Sequence, residues 1–94
     1  MVLKMTKKIF KYQLDIKDEQ ILEMPKDAEI LTVQNQRGWL CLWARVDPNF
    51  PKENRKIRVI GTGHPLYDKS YLKYIGSAQF DNGYLVWHVF EEIK

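Results

Sequence analysis

Cysteine is almost missing from this chain of 94 residues, where Cys41 stands alone. One thiol closes no internal disulfide and supplies no cysteine-based zinc site. Cys41 lies inside an apolar run, where a thiol behaves as a small buried hydrophobe rather than a nucleophile. Long apolar runs are missing too. No stretch approaches the ~20 residues that a membrane-spanning helix needs, and residues 1–8 lack the apolar core of a signal peptide. These absences predict a protein of a reducing compartment with no membrane partner. Charge of one sign is also scarce. Fifteen Lys and Arg against twelve Asp and Glu leave a net +3, a mild bias toward anionic partners but too small to argue for nucleic acid. No repeat, linker or long amphipathic helix is visible, so the chain reads as one domain over residues 1–94, with residues 1–8 a flexible lead.

Aromatic residues are plentiful. Three Trp, five Tyr and four Phe make up 13% of the chain, enough to fill a small core and leave some for an interface or pocket. Apolar residues alternate with polar ones in short segments. Over residues 9–16, Phe10, Tyr12, Leu14 and Ile16 share a face. Residues 20–24 read as a returning strand or a single helical turn, ended by Pro25. Residues 30–34 alternate again, and Arg37-Gly38 makes a turn. Over residues 39–46 both faces are largely apolar: Leu40, Leu42, Ala44 and Val46 on one, Trp39, Cys41, Trp43 and Arg45 on the other. That marks a central strand or one covered on each side. Residues 47–54 read as a loop, 57–60 as a strand, 65–73 as an ordered loop or helical turn, and 74–80 and 84–90 as strands. Between the last two, Asn82-Gly83 suits a type I′ turn, and Ile93-Lys94 read as a frayed end. The fold class expected is all-β: one small sandwich or partly open barrel of about six to seven antiparallel strands, with little helix.

The chemistry concentrates at Gly61-Thr62-Gly63-His64-Pro65. Two glycines around a threonine can turn backbone N–H groups toward a common anion. The same pair can also be a plain strand exit that needs positive φ. The spacing is neither that of a P-loop nor that of a dinucleotide fingerprint. His64 follows the turn as a ligand donor, a general base or a loop residue bonded to its own loop. Arg55, Lys56 and Arg58 lie just upstream, and Arg58 and Arg45 can neutralise phosphate if their strands pair. Trp39, Trp43 and Arg45 share a strand face, suited to stacking on a base or to a subunit interface. His88 reads as a satisfied core or interface histidine. Neither histidine has a carboxylate at ligand spacing, so no metal and no cofactor is expected. Ser70 and Ser77 lack a nucleophile elbow, so no catalytic residue is assigned. A hydrolase using His64 as base is a weaker reading, and nucleic-acid binding is weaker still.

The residues Cys41-Leu42-Trp43-Ala44 with Val46-Asp47-Pro48, then Gly61-Thr62-Gly63-His64-Pro65, Tyr74-Ile75-Gly76 and Val86-Trp87-His88-Val89-Phe90, resemble a family of small tailed-bacteriophage proteins. The resemblance spans residues 9–91. It implies a phage context and a place in the host cytoplasm, but no catalytic residues. With it, the chain reads as a non-enzymatic, homo-oligomeric binding protein that sequesters a small anionic, nucleotide-type signal of host defence. Gly61, Thr62, Gly63, His64, Arg58, Arg45 and Trp43 form the expected site. The alternative is a module that docks on a host or phage protein through Trp39 and Trp43.

Overall fold

The computed structural model describes residues 6–66 and 71–93. Seven strands account for most of them: β1 (Lys8–Gln13), β2 (Glu19–Pro25), β3 (Glu29–Gln36), β4 (Trp39–Val46), β5 (Lys52–Gly61), β6 (Leu72–Phe80) and β7 (Leu85–Glu92). They form two antiparallel sheets, one in the order β1-β4-β3, the other β2-β5-β7-β6. The expected small all-β sandwich is what the chain builds. Among the described residues, no helix is long and apolar enough to cross a membrane.

β4 is the central strand of its sheet, which explains why both of its faces are apolar. Leu40, Leu42, Ala44 and Val46 enter the core, and Cys41 is buried on the opposite face as a free thiol. Met24, Leu42, Ile57, Val59 and Val89 fill the space between the sheets and are almost wholly buried. Each such side chain contributes about 1.5–3 kcal/mol.

Residues 20–24 are a strand, not a helical turn, but that strand does not return along β1. The Leu14 amide donates to the Leu40 carbonyl at 2.8 Å, still in the first sheet. Four residues on, the Asp18 carbonyl accepts from the Val59 amide at 3.3 Å, already in the second. The chain crosses between sheets there, and β2 pairs with β5. This crossing also leaves Ile16 about half exposed, rather than inside with Leu14. Residues 52–54, expected in a loop, open β5 opposite Pro25, Met24 and Glu23. Their polar run hides a strand whose hydrogen bonds come from pairing rather than from a buried face.

Two turns differ from expectation in an instructive way. The two-residue hairpin with positive φ at both positions is Arg37-Gly38 (φ 52° and 88°), between the paired Gln36 and Trp39. The Asn35 side chain accepts from the Gly38 amide at 2.8 Å and holds it. At Asn82-Gly83 the loop has four residues, because Phe80 pairs with Leu85. Asp81, Asn82 and Gly83 all have positive φ, and the Tyr84 amide closes the loop on the Asp81 carbonyl at 3.0 Å. Leu72 and Lys73 belong to β6, while residues 67–70 of the expected loop lie outside the described residues. Ile93 is tied by its amide to the Tyr71 carbonyl at 3.1 Å rather than frayed.

The sheets meet along β3 and β6. Both strands carry a register irregularity, between Ile30 and Thr32 and between Tyr74 and Gly76. Such bulges bend a strand. At the contact a Cβ on Gly76 would lie 3.2 Å from Val33 Cγ2, and nearby Asn35 Nδ2 donates to the Gln79 carbonyl at 2.9 Å.

Candidate functional site

The glycine turn ends β5. Its Thr62 amide donates to the Val86 carbonyl at 3.2 Å, and its His64 amide to the Gly61 carbonyl at 3.0 Å. Two of the N–H groups expected to cradle an anion are therefore spent inside the protein. Gly63 has φ 84°, and Gly61 is fixed by sterics, since a Cβ there would lie 2.9 Å from His64 Nδ1 and 3.0 Å from Trp87 Cζ3. His64 thus folds back over Gly61 and meets Trp87 edge-on, with ring centroids 6.3 Å apart.

The expected ligand set is not brought together. Trp43 and Arg45 face outward from the first sheet, since their neighbours Leu42 and Ala44 face the core. Arg45 is ion-paired to Glu29 on β3. Its guanidinium holds the Glu29 carboxyl below the ordinary glutamate range, chiefly by hydrogen bonding and then by charge, with Lys7 and Lys73 adding to it. Arg58 lies on the outer face of the second sheet, between core residues Ile57 and Val59, yet is only 6% exposed. Its Nε donates to the Asp18 carbonyl at 2.9 Å, and Nη1 lies 3.9 Å from Glu19 and 3.7 Å from Glu92. Two carboxylates already offset this charge, so Arg58 does not present a free cation to phosphate. Arg55 is likewise committed, bidentate to Glu91 and bonded to the Ala28 carbonyl at 2.9 Å. The hydrogen bond to Glu91 raises its pKa further.

His88 is satisfied, but on the outer face rather than in the core. Its Nε2 is 2.6 Å from Thr62 Oγ1 and its Nδ1 is 2.7 Å from Ser77 Oγ. Ser77 Oγ in turn is 2.6 Å from the Tyr74 hydroxyl. Pairing places these groups in one row, with Ser77 opposite His88 and Tyr74 opposite Phe90.

One end of the sandwich carries a cleft with exposed aromatic walls. There Leu14, Asp15, Trp39, Leu40, Leu85 and Trp87 line a cleft of about 350 Å³. Trp39 is 58% exposed, an unusual position for an indole. A second pocket of about 390 Å³ lies against the same Trp39, lined by Lys11, Gln36 and Arg37. Lys11 donates to Gln36 Oε1 at 2.8 Å, and Arg37, at the hairpin tip, has no ion-pair partner among the described residues. One exposed indole thus separates an apolar cleft from a basic pocket. Trp39 was visible in the sequence as an aromatic beside a turn. Lys11, Asp15 and Trp87 gave no such signal, because Trp87 lies on β7, far along the chain from β1 and the link that follows it.

A family model for a domain of unknown function, DUF7352, matches residues 5–94. The chain belongs to the DUF7352 family. No curated protein and no solved structure matches it. The family description assigns no activity, so the chemistry of a DUF7352 site rests on the residues themselves. Among the described residues, no group of three or more His, Cys, Asp or Glu is placed to hold a metal ion.

Proposed function

We propose that this protein is a non-enzymatic binding module for a small ligand that combines a planar ring with an anionic group, as a nucleotide does. The supporting observation is Trp39, half exposed between an apolar cleft and a pocket carrying Lys11 and Arg37. A flat base gains by stacking on an indole. A phosphate on the same molecule is met by two cations on the far side of that ring. Compared with the glycine turn, this surface offers an unpaired guanidinium and an open aromatic wall. Both aromatic walls of the cleft come from one chain, so capture needs no second copy. The resemblance to small tailed-phage proteins supports an infected bacterium as the setting and sequestration of a nucleotide signal as the role.

The test is calorimetry and tryptophan fluorescence with AMP, GMP, cyclic nucleotides and ADP-ribose. Saturable binding is expected, weakened by salt and reduced roughly tenfold to a hundredfold in Trp39→Ala. Absence of binding by every compound, or equal binding by Trp39→Ala, would overturn the proposal.

A second reading places a partner protein's side chain in the same cleft. It is favoured by Ile16 and Leu85, which line the cleft and are 49% and 48% exposed. Its signature is loss of one pulled-down partner in both Trp39→Ala and Leu85→Ser, with no nucleotide binding by the parent protein.

A further inference from the structure

The cleft is not uniformly apolar. Asp15, on the link from β1 to β2, lines it, and so does Gln13. Asp15 is held with unusual care for a residue outside any strand. Its amide donates to Gln20 Oε1 at 2.9 Å, and its carbonyl accepts from Gln20 Nε2 at 2.7 Å. One side-chain amide thus satisfies both backbone groups of Asp15. The neighbouring Leu14 amide is fixed on Leu40. The carboxylate, by contrast, has no hydrogen-bond or ion-pair partner among the described residues. Nor has the Gln13 side chain.

Resting on the nucleotide reading above, we propose that Asp15 makes the cleft selective for guanine. An ionised carboxylate only accepts hydrogen bonds, and it offers two oxygens side by side. Among the common bases, guanine alone presents two adjacent donors on its pairing edge, the ring N1–H and the 2-amino group. Adenine and cytosine set one donor beside an acceptor. Uracil flanks its N–H with two carbonyl oxygens, which a carboxylate repels. The amide of Gln13 supplies a donor for the guanine 6-oxo group. Trp39 and Trp87 supply the stacking surface, as single bases are commonly held between aromatic rings and read along their pairing edges. Arg37 and Lys11 remain for the phosphate, away from Asp15.

The experiment compares GMP, IMP, AMP, CMP and UMP by calorimetry on the whole chain. GMP should bind roughly tenfold to a hundredfold more tightly than AMP, the scale of one bidentate contact. IMP, which lacks the 2-amino group, should fall between them. Asp15→Asn should abolish the preference for GMP over AMP and leave the melting temperature unchanged, because the Gln20 clamp holds backbone atoms. Gln13→Ala should weaken GMP and IMP alike. Equal affinity for all five, or a preference for AMP, overturns the guanine assignment and leaves nucleotide capture standing. Absence of binding by all five overturns both.

Discussion

Thr62 Oγ1 lies 2.6 Å from His88 Nε2, joining the glycine turn to the middle of β7. With Ser77 and Tyr74 beyond it, the contact makes a row of four side chains across three strand segments. A neutral imidazole accepts at one nitrogen and donates at the other, so the row has a single direction. The phenol is the stronger donor at the far end. With Tyr74 donating, the order is Tyr74 to Ser77, Ser77 to His88, and His88 to Thr62, and the other His88 tautomer reverses it. The turn that looked like an anion cradle is first of all a strand end bolted to its neighbours.

Opening this row should cost stability. Thr62→Val removes one hydrogen bond and Ser77→Ala removes two, and each such bond is worth about 1 kcal/mol. In a domain of this size that lowers the melting temperature by roughly 4–8 °C. The double variant should lose less than the sum, because the first cut already frees the imidazole. Additive losses in a thermal melt would show that the two bonds act separately.

Gly61 and Gly63 should fail for different reasons. Gly61→Ala drives a methyl into His64 and Trp87 and should destabilise by about 1–3 kcal/mol. Gly63→Ala meets open space but must hold φ 84°, at about 1–2 kcal/mol. Gly63→Asn should recover most of that loss, since asparagine tolerates this region. Gly61→Asn should recover nothing. Urea denaturation of the four variants checks the pattern.

Glu29 should contribute to the acid limb of stability. Arg45 holds its folded-state pKa below the unfolded value. The contribution is therefore complete above the unfolded value of about 4.3 and lost as pH falls through the folded one. Both side chains are about half exposed, so the effect is small and screened by salt. In Arg45→Gln the Glu29 titration followed by NMR should move up toward the ordinary range. An unmoved midpoint would assign the shift to Lys7 and Lys73 instead.

Much of the fold was legible because alternation reports which residues share a face. The two apolar faces of residues 39–46 marked the central strand. Arg37-Gly38 and the glycine at 61 marked turns. Alternation does not say which sheet a strand joins. Trp43 and Arg58 each face away from their own core neighbours, yet those faces lie on opposite sides of the sandwich. Nor does it reveal partners far off in the chain. The carboxylates that neutralise Arg58 come from Glu19 and Glu92, one near each end. Asp15 looked like a strand residue with a polar face. Only the crossing between sheets turns it into part of a cleft wall.

Of the five strand pairings among the described residues, only β3 with β4 and β6 with β7 join neighbours in the chain. The other three must close long loops before any contact rewards them, which slows folding. Each sheet can begin from its one local hairpin, while β1 and β2 wait for distant partners. Leu14 and Asp15 arrive with β1, so the cleft they line is completed late. Pulse-labelled hydrogen exchange should show the amides of β3, β4, β6 and β7 protected before those of β1 and β2. Early protection of β1 would contradict that order. The end of the molecule that carries Trp39 and Trp87 thus gains its last wall only after both hairpins are in place.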